Sequence, residues 1–192
     1  TRLSEETHLK PKPMVEVGGK PILWHIMKLY AEQGFNDFVI CLGYKGYVIK
    51  EYFINYFYHN SDLTINLNNN QVEVHGTNAE KFKVTLIDTG LHTKTAGRLK
   101  RIEQYIDTDN FMLTYGDGLA DIDLQKLKEF HLSHGKMGTV TSVQPAGRFG
   151  GMEFGENNLV ETFKEKPVGD GNWINGGFFI LKKEVFDILP DK

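Results

Sequence analysis

Lys12 stands between Pro11 and Pro13 in the run Lys10-Pro11-Lys12-Pro13, and that setting could make its ammonium group chemically useful. Proline fixes φ and drives its predecessor out of helical space, so the run predicts Lys12 on an extended, stiff segment. A lysine held that way loses little freedom on meeting an anion, and with Arg2 it could form a two-point phosphate clamp. Taken alone, the same four residues also fit a solvated turn. Asp117 follows an apolar run and is flanked by Gly116 and Gly118, which let a ligand approach the backbone closely. Magnesium takes one or two protein carboxylates together with substrate phosphates, so Asp117 is the candidate metal ligand, although Gly-Asp-Gly is also a common turn. Arg98, in Ala-Gly-Arg-Leu-Lys-Arg, falls near the start of a predicted helix, where free amides and the helix dipole favour an anion. Its alternative is an exposed arginine on a charged helix face, as expected for Lys100 and Arg101. Glu165-Lys166-Pro167 repeats the device of a charge stiffened by the following proline, and by itself reads as a surface turn.

Other chemistries find less support. Asp121 and Asp123 form the D-x-D pattern used by sugar-nucleotide-dependent glycosyltransferases, but the pair runs into a helix, where Asp123 suits an N-cap. Seven histidines occur, none in an H-E-x-x-H arrangement; His131 and His134 fall on a predicted exposed helix face and read as solvated. No G-x-S-x-G or cysteine-histidine arrangement supports a covalent nucleophile. Cys41 is the single cysteine, so no intrachain disulfide forms, and its setting in Asp-Phe-Val-Ile-Cys-Leu makes it a buried strand residue in a reducing compartment. A net charge of -3 argues against a general nucleic-acid binder while leaving room for a local basic pocket. No apolar run is long enough to span a membrane.

Strands and helices alternate along the chain. Residues 21–33 read as a helix ended by Gly34, residues 37–42 as a buried strand, and residues 46–58 as a helix whose aromatic stripe is core. Residues 62–75 alternate around Asn68-Asn69-Asn70 and predict a hairpin that could lie at a sheet edge or reach a neighbouring subunit. Strands follow at 83–88, 111–115, 137–144, 151–154, 159–165 and 173–181, with helices near 98–105, 123–134 and 183–189. With 192 residues, one domain is the default. The pattern predicts an α/β fold, an open and mostly parallel Rossmann-like sheet flanked by helices with a small β-hairpin insertion. In such sheets ligands bind beyond the carboxyl ends of strands, so loops 1–12, 89–98, 116–118 and 165–167 should converge.

The runs Thr-Arg-Leu, Lys-Pro-Met-Val-Glu-Val-Gly-Gly-Lys-Pro-Ile, Gly-Tyr-Lys-Gly-Tyr, Gly-Arg-Leu-Lys-Arg, Tyr-Gly-Asp-Gly, Gly-Arg-Phe-Gly and Ile-Asn-Gly-Gly-Phe-Phe carry a resemblance. Together they resemble the sugar-1-phosphate nucleotidyltransferases over essentially the whole chain, and within them the branch that transfers a cytidylyl group from CTP to glucose-1-phosphate. The resemblance implies a nucleotidyltransferase fold over residues 1–192, incomplete at both ends, with a first strand and glycine-rich loop ahead of Thr1. It matches Thr1 and Arg2 to the end of the phosphate loop, Lys12 to the catalytic lysine, and Asp117 to the first magnesium ligand, the second lying beyond this sequence. Thr93 and Arg98 are placed at the nucleotide, and Gly151, Glu165, Lys166 and Asn175 at the sugar phosphate. It further implies a Mg2+ cofactor, a cytoplasmic homo-oligomer, and CDP-glucose feeding bacterial surface polysaccharide. Neither composition nor spacing speaks to those last points.

Overall fold

A computed structural model describes residues 10–144, 151–154, 156, 159–164 and 173–190. A single 3-10 turn at Lys12–Met14 leads into a ribbon of β1 (Glu16–Val17) and β2 (Lys20–Pro21), then helix α1 (Ile22–Ala31). Pro21 keeps an extended backbone, with φ -59° and ψ 149°, and its missing N–H costs nothing at a helix start. Next come β3 (Asp37–Leu42), α2 (Gly46–His59), the hairpin β4 (Ser61–Asn66) and β5 (Gln71–Thr77), and β6 (Lys83–Asp88). The remainder is α3 (Thr95–Ile102), β7 (Asn110–Thr114), α4 (Leu124–His134), β8 (Gly138–Val143), β9 (Gly151–Phe154), β10 (Val160–Lys164), β11 (Ile174–Lys182) and the short α5 (Val185–Ile188).

Two ladders form the body. β3 and β6 pair in parallel from Asp37↔Lys83 to Leu42↔Asp88, joined by the crossover through α2 and the hairpin. β11 lies antiparallel between β7 and β8, with Phe179 opposite both Leu113 and Val140, which leaves β7 and β8 parallel to each other. Alternation along the strands sends side chains to two helical layers. Phe38 and Ile40 of β3 meet Leu23 and Met27 of α1 and Ile49 of α2, while Val39 and Cys41 meet Leu99 and Ile102 of α3 and Phe186 of α5. β7 divides in the same way, with Met112 in the cluster of Ile26, Tyr30 and Phe178, and Phe111 and Leu113 beside Phe186. β3 and β7 therefore share both covering layers, though among the described residues no ladder joins them. No helix of the described residues is long and apolar enough to cross a membrane.

α4 departs from the sequence reading. Its inward stripe runs through Leu124, Leu127, His131 and His134, whereas Phe130 and Leu132 point outward. His131 is only 1 % exposed, not solvated. Partners make that burial tolerable, and the acceptor and donor roles follow in order along one chain. The Lys136 N–H donates to His134 Nδ1 at 2.9 Å, which puts the proton of the neutral ring on Nε2 and directs it to Thr139 Oγ1 at 2.7 Å. Thr139 then donates to His131 Nδ1 at 2.7 Å, and His131 Nε2 donates to Asn110 Oδ1 at 3.0 Å. The relay ties α4 to β7 and β8 with both imidazoles neutral.

Burial, and secondarily the nearby His134 and Lys182, hold the His131 pKa below its ordinary 6.5. The unfolded chain then binds more protons than the folded one, so this histidine subtracts stability as pH falls below 6.5 and goes on doing so until its depressed folded value is reached. Urea unfolding at pH 7.5 and pH 5.5 should show a lower midpoint at the acidic pH. In His131→Gln the protein should be less stable at both pH values and the gap between them smaller.

Candidate active site

The turn at Lys12–Met14 sets the first candidate. Pro11 is extended as the sequence predicts, with φ -66° and ψ 147°, but Lys12 itself enters a 3-10 turn in which Met14 N–H donates to Pro11 O at 2.8 Å. The extended reading of Lys12 is thereby corrected: the fixed φ of Pro13 suits a first helical turn, and the bond across it outweighs the pre-proline preference. The outcome is still a stiff mount. Pro11, Met14 and Val15 are buried, and Lys12 projects outward.

Arg98 comes from the first half of α3 and is held rather than solvated. Its Nη1 donates to Leu42 O at 2.9 Å and Thr89 Oγ1 at 2.7 Å, while Nη2 leans on Leu91 O at 3.4 Å. Gly43 makes this possible, since a Cβ there would lie 2.6 Å from Nη2. Thr89 is fully buried and binds Leu42 O through both its N–H, at 2.9 Å, and its hydroxyl, at 2.8 Å. Lys100 and Arg101 are not idle surface charges either: Lys100 Nζ donates to Phe186 O at 2.8 Å, and Arg101 Nη1 donates to Thr89 O and, at 2.7 Å, to Thr93 Oγ1.

Lys12 and Arg98 meet in one cavity of about 530 Å3, whose wall also includes Pro13, Gly43, Tyr44 and Ile49. The cavity borders the carboxyl end of β3 through Cys41, whose thiol is pushed up by burial against the opposing pull of the Arg98 charge. A thiol kept protonated is a poor nucleophile, in keeping with its reading as a strand residue. Among the described residues, no carboxylate pairs with Lys12 or Arg98.

Asp117 lies in the exposed turn after β7, and a Cβ on the preceding Gly116 would sit 3.0 Å from Pro13 Cγ. The metal candidate thus adjoins the Lys12 turn. Asn175, at the start of β11, donates from Nδ2 to the Tyr115 hydroxyl at 3.2 Å, which puts it beside the same turn. Thr93 Oγ1 accepts from Arg101 Nη1, which also donates to Thr89 O beside Arg98. Gly151 pairs with Lys164 across β9 and β10, so it stands opposite the residue just before Glu165. Thr1, Arg2, Glu165 and Lys166 lie outside the described residues. Asp123 Oδ1 accepts from Lys126 N–H at 2.9 Å, and that bond, then Lys126 Nζ, holds its carboxyl below the usual range. The D-x-D aspartate is an N-cap. Sequence reading gave no role to Gly43, Thr89 or Tyr115, although Gly43 ends a predicted strand and Thr89 opens the 89–98 loop expected at the site.

The nucleotidyl transferase family model matches residues 1–192. The chain belongs to that family. It is 56% identical, over all 192 of its residues and 74% of each relative, to the glucose-1-phosphate cytidylyltransferases of Salmonella typhi and Salmonella typhimurium strain LT2. Among solved structures it is similar to HddC from Yersinia pseudotuberculosis complexed with GMP-PN, with a TM-score of 0.63 and 26% identity over 95% of this chain and 72% of that one. The α/β architecture read from the sequence is the architecture of this family.

Because Arg98 satisfies Leu42 O and Thr89 Oγ1, it should also matter to stability. Arg98→Met is expected to lower the free energy of unfolding by about 1–3 kcal/mol, read from urea denaturation without any substrate present. An unchanged midpoint would mean those bonds contribute nothing to the fold.

Proposed function

We propose that this chain joins CTP to glucose-1-phosphate, releasing pyrophosphate and forming CDP-glucose. The observation that carries the reading is the pair of cations, Lys12 and Arg98, with no carboxylate partner among the described residues, in one cavity at the carboxyl end of a parallel strand. Two positive charges so placed attract an anion with at least two charged groups. The 56% identity to the Salmonella enzymes supports the choice of cytidylyl donor and sugar phosphate.

The reaction brings two anions together, so positioning and charge compensation are the chain's main tasks. An oxygen of the sugar phosphate attacks the α-phosphorus of CTP, and the bond to the β-phosphate oxygen breaks in line. No covalent enzyme intermediate is needed. Lys12, with Arg2, neutralises triphosphate charge from the stiff turn, and Arg98 does so from a guanidinium already fixed by Leu42 O and Thr89 Oγ1. Asp117 offers an exposed carboxylate with no basic partner among the described residues, a donor set that fits Mg2+ shared with substrate phosphates. When bound there, the ion would neutralise charge on the phosphate oxygens. Lys166 meets the phosphate of the sugar phosphate and Glu165 its hydroxyls, Asn175 is a further sugar contact with Gly151 close by, and Thr93 supports the nucleotide side.

The β4–β5 hairpin exposes Ile65, Val72 and Val74, which are paired or adjacent across its register, and burial against a second copy would cover them.

The Lys12 side chain is exposed and makes no ion pair among the described residues, so Lys12→Ala should leave stability intact. Its rate of pyrophosphate release from CTP and glucose-1-phosphate should fall on the order of a hundredfold or more. Near-native turnover in the full chain would remove Lys12 from the mechanism. Transfer from a preformed sugar nucleotide without pyrophosphate would replace the reaction altogether.

A further inference from the structure

Tyr115 precedes the Gly116–Asp117 turn, and the arrangement around it goes beyond what strand packing requires. β11 carries an irregularity in its ladder with β8: Asn175 pairs with Ser142, but the next partner pair is Phe179 with Val140, so the backbone bulges between them. Bulges of this kind re-aim side chains at sheet ends. Gly177 lies within the bulge at φ +84°, a conformation that favours glycine, and a Cβ there would sit 3.2 Å from the Tyr115 ring. The ring lies against that backbone and meets Phe179 edge-on at 5.9 Å between centroids.

The polar groups complete the clip. Asn175 Oδ1 accepts from Gly177 N–H at 2.8 Å, and Asn175 Nδ2 donates to the Tyr115 hydroxyl at 3.2 Å. Thr114 Oγ1 donates to Gly177 O at 3.0 Å one residue earlier on β7. Both ends of the Asn175 amide are thereby committed, and one N–H of Nδ2 remains for a ligand. Asn175 and Tyr115 are both exposed, so their bond adds little to stability. What it does is fix the amide's direction relative to the Asp117 turn.

We propose that Tyr115 is a positioning residue for recognition of the sugar phosphate: its hydroxyl orients Asn175, so that the free Nδ2–H of that amide meets a hydroxyl of the sugar beside Asp117. This rests on the reading that puts Asn175 at the sugar. The ring alone makes the packing contacts with Gly177 and Phe179, so Tyr115→Phe removes the orienting bond and keeps the packing.

The test is steady-state kinetics on the full chain for Tyr115→Phe, Asn175→Ala and the double variant, with each substrate varied in turn. Tyr115→Phe should raise the KM for glucose-1-phosphate about three- to tenfold, the effect of one hydrogen bond, while the KM for CTP and the melting temperature stay unchanged. Asn175→Ala should raise the same KM, and in its background the tyrosine substitution should have no further effect. If Asn175→Ala raises the KM and Tyr115→Phe does not, or if the two effects simply add, the positioning role is overturned while the placement of Asn175 survives. If Asn175→Ala itself leaves the KM for glucose-1-phosphate unchanged, both the placement and the inference fall.

Discussion

The carbonyl of Leu42 is the point on which the site depends. It ends β3, and it accepts from the Thr89 N–H, the Thr89 hydroxyl and Arg98 Nη1, at 2.9, 2.8 and 2.9 Å. Thr89 follows the last residue of β6, so one acceptor locks the ends of the two parallel strands together and anchors a cation from α3 at the same place. Buried polar groups are costly unless paired, and here the pairing is what aims the charge. The site is built from the same hydrogen bonds that finish the fold. Gly43 belongs to that economy of space, because the guanidinium occupies the volume a side chain would need.

Charge is distributed to the same end. The chain is net negative at -3, and several of its lysines are paired: Lys10 with Glu16, Lys28 with Glu80, Lys83 with Asp37 and Lys126 with Asp123. These are surface contacts worth little individually. Their consequence is to leave the field around Lys12 and Arg98 as a local positive region on a negative molecule, which draws a polyanion to the strand ends rather than to the surface at large. Asp117 nearby does not cancel it, since its turn reaches the region through the Gly116–Pro13 contact and makes no ion pair with either cation.

Much of the framework was legible in the sequence because its signals are local. Residues 37–42 and 83–88 read as strands, the first from its short apolar run, and the helix starts after Pro21 and Asp123 read from backbone chemistry. What was not legible depends on contacts distant in sequence. His131 could not be recognised as buried, because the hydroxyl and amide that satisfy it come from Thr139 and Asn110 on two strands. Lys12 was expected to be extended, since pre-proline sterics are visible in sequence, whereas the 3-10 bond that closes over buried Met14 is a product of packing. Tyr115 was read only as the end of a strand; its link to Asn175 joins residues sixty positions apart.

The anchoring of Arg98 also links substrate binding to folding. Arg98 is fixed by the neutral acceptors Leu42 O and Thr89 Oγ1, and it shares its cavity with Lys12. An anion that bridges them is bound only by the folded chain, so occupancy adds to stability by mass action. The same geometry keeps the cost of binding low. Arg98 is already bonded to Leu42 and Thr89, so little of its side-chain freedom remains to be lost when a phosphate arrives, and for Lys12 the turn braced by Pro11 and Met14 has already fixed the backbone.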